Sequence, residues 1–212
     1  MSVRLQVAPG VSHFPEYFGP VEQEALLAEI LARVADAPFY RPTMPRSGLP
    51  MSVEMTNFGP LGWVTDAAKG YRYEPLHPMT GRAWPEIPEI LLKLWRETTT
   101  YPALPEACLV NLYRADARMG LHQDKDEETL DAPVLSVSLG DTGIFRFGPA
   151  RRGPATLKLN SGDVLVFEGP ARLMYHGIVR ILAGSSTLLS GGGRINLTLR
   201  RVKMKKGDRP GG

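Results

Sequence analysis

The chain has 212 residues, 43% of them hydrophobic and 22% charged, an ordinary balance for a soluble globular protein with room for a substantial core. A lone cysteine, Cys108, excludes an intramolecular disulfide and fits a reducing cytoplasm. The opening residues lack the apolar stretch of a signal peptide, and no run reaches membrane-spanning length. The formal charge of +3 suits an anionic partner. Part of that surplus sits in Lys203, Lys205, Lys206 and Arg209, read as a flexible basic tail over 203–212. With 22 glycines and 19 prolines, turns and short strands are favoured over long helices.

Residues 1–20 read as a short strand and loop in which His13 is structural or exposed. Pro20 opens an amphipathic helix whose face is marked by Leu27, Ile30, Leu31 and Val34 and which Pro38 ends. Residues 41–83 are rich in Gly, Pro, Met and aromatics without a helical period; irregular strands and loops covering something are expected there. Trp63, Tyr71 and Tyr73 stand out, either as core filling or as a stacking surface for a flat ligand. His77, before Pro78, reads as a loop residue. A second amphipathic helix over 87–98 uses Ile87, Ile90, Leu91, Leu94 and Trp95 to support a sheet.

Beyond Pro105 the pattern changes to strands: 107–114, 133–140, 143–148, 155–160, 163–168 and 194–200. Such closely spaced strands point to an antiparallel sandwich or jelly roll. Asn111 and Tyr113 share a face of the first strand and suit a polar ligand above it, or core hydrogen bonding. Between the first two strands, His122 and Asp124 are two residues apart and point the same way if extended, unless they are only a surface histidine beside an acidic turn. An imidazole and a carboxylate together make two thirds of the two-histidine, one-carboxylate set that leaves positions open on Fe(II). His176 follows the strand 163–168 after a Gly-Pro turn, and Gly177 beside it allows close backbone approach; taken alone it reads as a structural histidine more readily than as a ligand. On the last strand Ile195, Leu197 and Leu199 line one face. Arg194, Asn196, Thr198 and Arg200 line the other, which is either a solvated outer face or a cradle for a small dicarboxylate. The two Arg Cα atoms stand roughly 20 Å apart on a straight strand, six steps at about 3.3 Å, so they should grip different groups.

Together, His-x-Asp at 122–124, the distant His176 and Arg-x-Asn-x-Thr-x-Arg at 194–200 resemble the AlkB family of Fe(II)- and 2-oxoglutarate-dependent dioxygenases. Asn-Leu-Tyr-Arg at 111–114, Leu-His-Gln-Asp-Lys-Asp-Glu at 121–127, Arg-Leu-Met-Tyr-His-Gly-Ile at 172–178 and Met-Thr-Asn-Phe-Gly-Pro-Leu-Gly-Trp at 55–63 look like the bacterial members. The resemblance runs from about residue 45 to 202. It implies a mainly β fold with supporting helices: a double-stranded β-helix (jelly roll) core over 101–202, and a helical and nucleotide-recognition-lid region over 1–100, all in a single domain. His122, Asp124 and His176 would hold Fe(II), leaving room for 2-oxoglutarate and O2. Arg194, Asn111 and Tyr113 would bind the distal carboxylate of 2-oxoglutarate, with Asn196 and Arg200 in the same pocket and Arg200 nearer the iron.

The implied chemistry is oxidative demethylation of 1-methyladenine and 3-methylcytosine in single-stranded DNA, with RNA and double-stranded DNA as further substrates. It releases formaldehyde, succinate and CO2. Trp63 and His122 would sandwich the base, Asp126 would meet its exocyclic amine, and Thr56 and Tyr71 would hold the strand at phosphate. The spacing from Trp63 to Tyr71 leaves Tyr73 as the alternative for that contact. A monomeric cytoplasmic enzyme without membrane attachment is expected. The competing expectations are an oxygenase of a protein or small molecule, and a non-enzymatic nucleic-acid or metal-binding jelly roll.

Overall fold

The computed structural model describes residues 3–114 and 116–203, so the expected tail from residue 204 onward lies outside the described residues. The chain opens with a hairpin of β1 (Leu5–Ala8) and β2 (Val11–Phe14), followed by α1 (Pro20–Val34). Three short strands come next: β3 (Glu54–Phe58), β4 (Gly62–Asp66) and β5 (Gly70–Glu74). Helix α2 (Glu89–Thr98) then leads into β6 (Ala107–Tyr113), β7 (Met119–His122), β8 (Val134–Gly140) and β9 (Thr142–Gly148). The last four strands are β10 (Ala155–Leu159), β11 (Val164–Phe167), β12 (Tyr175–Leu182) and β13 (Arg194–Arg200).

Seven strands form a large sheet in the order β1-β2-β11-β8-β13-β6-β3, and four form a smaller one in the order β10-β9-β12-β7. The architecture is the expected jelly roll. The N-terminal strands β1, β2 and β3 extend the large sheet rather than standing apart from it.

The large sheet is covered on both sides. One face packs Val110, Leu135, Ile195, Leu197 and Leu199 with Leu26 and Ile30 of α1 and Leu91, Leu94 and Trp95 of α2. Each fully buried aliphatic side chain there contributes about 1.5–3 kcal/mol. The other face, with Leu109 and Tyr113, meets Phe145, Phe147 and Ile178 of the small sheet. Two-sided burial explains why β6 is buried at every position and does not alternate in exposure.

Three expectations need correction. On α1 the buried residues are Leu26 and Ile30, whereas Leu31 is 53% exposed, because the sheet lies on the Leu26 side of the apolar stripe. That helix ends at Val34, four residues short of Pro38; backbone N–H groups of Asp36 and Ala37 both turn back to the Arg33 carbonyl. Residues 41–83 are more regular than expected, since β3 joins the large sheet and β4 and β5 pair as a separate hairpin.

Candidate metal and cosubstrate site

Between the two sheets lies a cavity of about 280 Å³. His122 ends β7, His176 is the second residue of β12, and the two face each other in register across that strand pair. Gly177 makes the pairing possible: a Cβ there would stand 2.5 Å from the Met119 carbonyl oxygen. Asp124 follows in the loop after β7. The ligating atoms of His122, Asp124 and His176 all lie within 4.8 Å of one another.

Both rings are set for metal binding by the backbone. Nδ1 of His122 lies 3.0 Å from the Gly120 carbonyl, and Nδ1 of His176 lies 3.0 Å from the Met174 carbonyl. A carbonyl only accepts, so each Nδ1 carries the proton and each Nε2 keeps its lone pair. Those Nε2 atoms point to Asp124, 3.6 Å from its Oδ1 for His122 and 3.8 Å from its Oδ2 for His176. Burial lowers the pKa of His176 to about 4, so it is neutral at physiological pH. Burial opposes ionisation of Asp124, but the Arg200 guanidinium against it outweighs burial and holds the carboxyl well below the usual range. Two imidazoles whose Nε2 atoms converge with one carboxylate, with an open side toward the cavity, fit a divalent transition metal.

Arg200, at the end of β13, donates through Nε (2.9 Å) and Nη2 (2.8 Å) to Asp124 Oδ2. Its Nε also lies 3.5 Å from Glu127. Glu127 in turn accepts from Arg172 Nη2 at 3.0 Å and from the Tyr73 hydroxyl. Arg172 reaches further, to the carbonyls of Asp124 and Ala132. The loop carrying the Asp124 ligand is thus clamped from inside by a buried network. Glu127 and Arg172 were not singled out as site residues from the sequence, and Tyr73, expected as a stacking residue or strand contact, instead bonds Glu127 inside this network. Glu127 sits in an acidic run beside Glu128, and nothing local marks which carboxylate turns inward.

At the other end of β13, Arg194 is fully buried, and its partners are neutral: Ser138 Oγ at 2.6 Å and the Leu159 carbonyl at 3.1 Å. No carboxylate among the described residues pairs with it, and its Nε has no partner. Burial lowers its pKa to about 10, which leaves it charged at neutral pH. The side-chain oxygen of Asn111 is likewise buried without a partner. A buried, unpaired guanidinium beside an unsatisfied amide fits the carboxylate of a small anion. The solvated-face alternative for β13 is therefore excluded: Arg194, Asn196, Thr198 and Arg200 all line the cavity, because the small sheet covers this side. Ser136 and Ser138, alternating on the apolar strand β8, are a signal that could have been read from the sequence.

The β4–β5 hairpin stands at the mouth. Trp63 and Tyr71 stack at 5.5 Å between centroids, and Trp63 Nε1 donates to Asp126 at 2.9 Å. Tyr71 is 52% exposed, while Tyr73 turns inward to Glu127, so of the two only Tyr71 can meet a ligand outside. Thr56 corrects another expectation. It is fully buried on β3 and its hydroxyl donates to the Ala37 carbonyl at 2.8 Å, which leaves no atom for a phosphate. His77 and His13 are structural: His77 bonds the Pro38 carbonyl and His13 bonds Asp163.

Comparison with known proteins agrees with this geometry. The model of the 2OG-Fe(II) oxygenase superfamily matches residues 10–200. An alpha-ketoglutarate-dependent dioxygenase AlkB homolog of Caulobacter vibrioides is 53% identical over 203 residues, covering 94% of this chain and 90% of the relative. The alpha-ketoglutarate-dependent dioxygenase AlkB of Escherichia coli is 42% identical over 189 residues, covering 86% of each. The solved structure of OsALKBH1 superposes with a TM-score of 0.80 at 28% identity, over 94% of this chain and all of that one.

Proposed function

The chain belongs to the AlkB family of the 2OG-Fe(II) oxygenase superfamily, and on that premise we propose that it removes N-methyl groups from nucleobases in DNA and RNA. The family's cofactors are Fe(II), 2-oxoglutarate and O2. The observation that carries the reading is the pairing, within one cavity, of the His122, Asp124 and His176 cluster with the unpaired Arg194, beneath a mouth framed by Trp63 and Asp126.

In this reading His122, Asp124 and His176 hold Fe(II) through the two Nε2 atoms and the Asp124 carboxylate. Arg194 takes the distal carboxylate of 2-oxoglutarate, with Asn111, Tyr113 and Asn196 beside it. Burial holds the Tyr113 hydroxyl protonated, so it acts as a donor to that carboxylate. Arg200 holds Asp124 in its ligating pose and does not itself need the cosubstrate. Bound together, iron, cosubstrate and O2 supply an oxidant that hydroxylates the N-methyl carbon, with succinate and CO2 formed alongside; the hydroxymethyl group then leaves as formaldehyde. The protein's part is to orient the methyl toward the metal and keep bulk water out. Trp63 supplies the stacking face, with His122 across the mouth, and Asp126 accepts from the exocyclic amine of adenine or cytosine. Tyr71 contacts the strand.

A methyl on the pairing edge blocks base pairing, so extruding the damaged base costs less than extruding a normal one. We therefore place 1-methyladenine and 3-methylcytosine in single strands first among substrates, acted on by a monomer in the cytoplasm. Formaldehyde release from a 1-methyladenine oligonucleotide, with Fe(II), 2-oxoglutarate and ascorbate, tests the reading against an Asp124→Ala control. Release that needs every component and falls at least ~10³-fold in the control is expected. Succinate without formaldehyde would turn the search to a protein or small-molecule substrate.

A further inference from the structure

The small sheet has a second face, turned away from the cavity. Alternation along β9 and β10 sends Phe145 and Phe147 inward and Arg146, Thr156 and Lys158 outward. On β12, where His176 and Ile178 face inward, the register shift between Ile178 and Arg180 turns Arg180 outward, and all four outward residues are exposed. Lys158 on β10 and Arg180 on β12 both stand opposite Ile144 of β9, one on either side, and Arg146 is two residues along the same strand. Strand spacing puts Lys158 and Arg180 about 10 Å apart, with Arg146 about 7 Å along β9 from the line between them. At the end of β12 nearer the cavity mouth, Tyr175 points outward beside inward His176, and the Arg151 guanidinium lies 4.9 Å over its ring.

Among the described residues, no carboxylate pairs with Arg146, Lys158 or Arg180. The strands β7, β9, β10 and β12 contain neither Asp nor Glu. From Thr142 to Arg200 the only acidic residues are Asp163 and Glu168, which are engaged with His13 and Arg4. A cationic surface without counter-charges, flat and interleaved with Ile144 and Tyr175, is no pocket for a small anion. It suits a linear polyanion whose charges recur every few ångströms, with side chains on which bases can rest.

We propose that this outer face, through Arg146, Lys158 and Arg180 with Arg151 and Tyr175 at its rim, is a docking surface for the nucleic-acid backbone flanking the base in the cavity. The strand crosses the edge of the small sheet at Tyr175 and continues behind it. The surface contributes affinity for long strands without touching the reacting base. The inference rests on the nucleic-acid reading above, and the test separates the two.

Binding of an unmethylated single strand of about 20 nucleotides, followed by fluorescence anisotropy from low to moderate salt, compares the wild type with the triple variant R146Q/K158Q/R180Q. Losing three phosphate contacts lowers the slope of log K against log salt by about 2 and weakens binding at low salt about tenfold or more. Lys93→Gln, an exposed change on α2, leaves both unchanged. The triple variant keeps wild-type turnover of a methylated trinucleotide, while KM for the long strand rises. An unaltered salt slope in the triple variant overturns the docking surface and leaves the demethylase intact. Loss of heparin binding with DNA binding retained also overturns it, in favour of an acidic partner. A wild type that neither binds nor turns over any oligonucleotide overturns both readings.

Discussion

Arg194 and Arg200 lie on one face of one strand, six residues apart, both buried, yet their surroundings are opposite. Arg200 is enclosed by Asp124, Glu127 and Tyr73, and despite its burial these hold its pKa above the ordinary range. Arg194 has only neutral partners, an unsatisfied Nε and a pKa lowered to about 10 by burial. Gly143, opposite, keeps room for it: a Cβ there would stand 3.0 Å from Nε. A buried cation with its counter-charge already in place serves the fold and the ligand loop. One without is a standing cost to the fold that an anion can relieve. The same residue type, on the same face, thus does two different jobs.

The contrast can be broken most forcefully at Arg200. Arg200→Met leaves Asp124 buried without its cation, while Glu127 keeps Arg172, so unfolding free energy should fall by about 3–5 kcal/mol, read by urea denaturation of the metal-free protein. Arg194→Met should behave otherwise. Removing a buried cation that lacks a carboxylate partner keeps stability within about 1 kcal/mol of wild type, again without ligand. Its effect appears on adding cosubstrate: 2-oxoglutarate affinity drops by about 2–5 kcal/mol, at least ~30-fold, and the ligand-induced rise in Tm disappears. Equal destabilisation by the two variants would end the distinction.

The effect expected to be smallest at neutral pH concerns protons at the Arg200 end. The pKa of His176 in the fold, about 4, lies below its ordinary 6.5, so the unfolded chain binds the extra proton between those values. Its contribution to stability is therefore complete above pH 6.5 and drains away as pH falls toward 4. The slope is at most about 1.4 kcal/mol per pH unit. In metal-free protein, His176→Gln should flatten the fall of Tm across that window; a slope identical to wild type would place the lost protons elsewhere.

Much of this was legible in local pattern. Strand periodicity located β6, β8, β9, β10, β11 and β13 within about one residue, because short apolar runs between Gly, Pro and Asp turns are a local signal, but it did not mark β12 (Tyr175–Leu182), which carries His176. The cluster of His122, Asp124 and His176 was also within reach, since few histidines compete and Gly177 marks a close approach. Thr56 shows the limit. Its place in a matching motif suggested contact with the substrate strand, but β3 pairs with β6 and buries it against Ala37. Glu127 shows the same limit from the other side, one acidic residue among several whose role depends on Arg172, 45 residues away.

Residue types and spacings by themselves determined most of the core strands, the His122 and Asp124 pair and the face of β13 that carries both arginines, while the resemblance to a known family added His176 as the third ligand. Those follow from alternation and side-chain chemistry, which act over a few residues. Only the tertiary structure decided that this face is interior, that Arg200 is paired while Arg194 is not, and that Tyr73 points in while Tyr71 points out. The small sheet's outward cations also needed the register of β9 with β10 and β12 before they became one surface. Burial and charge compensation depend on what packs from distant parts of the chain, and no local pattern carries that information.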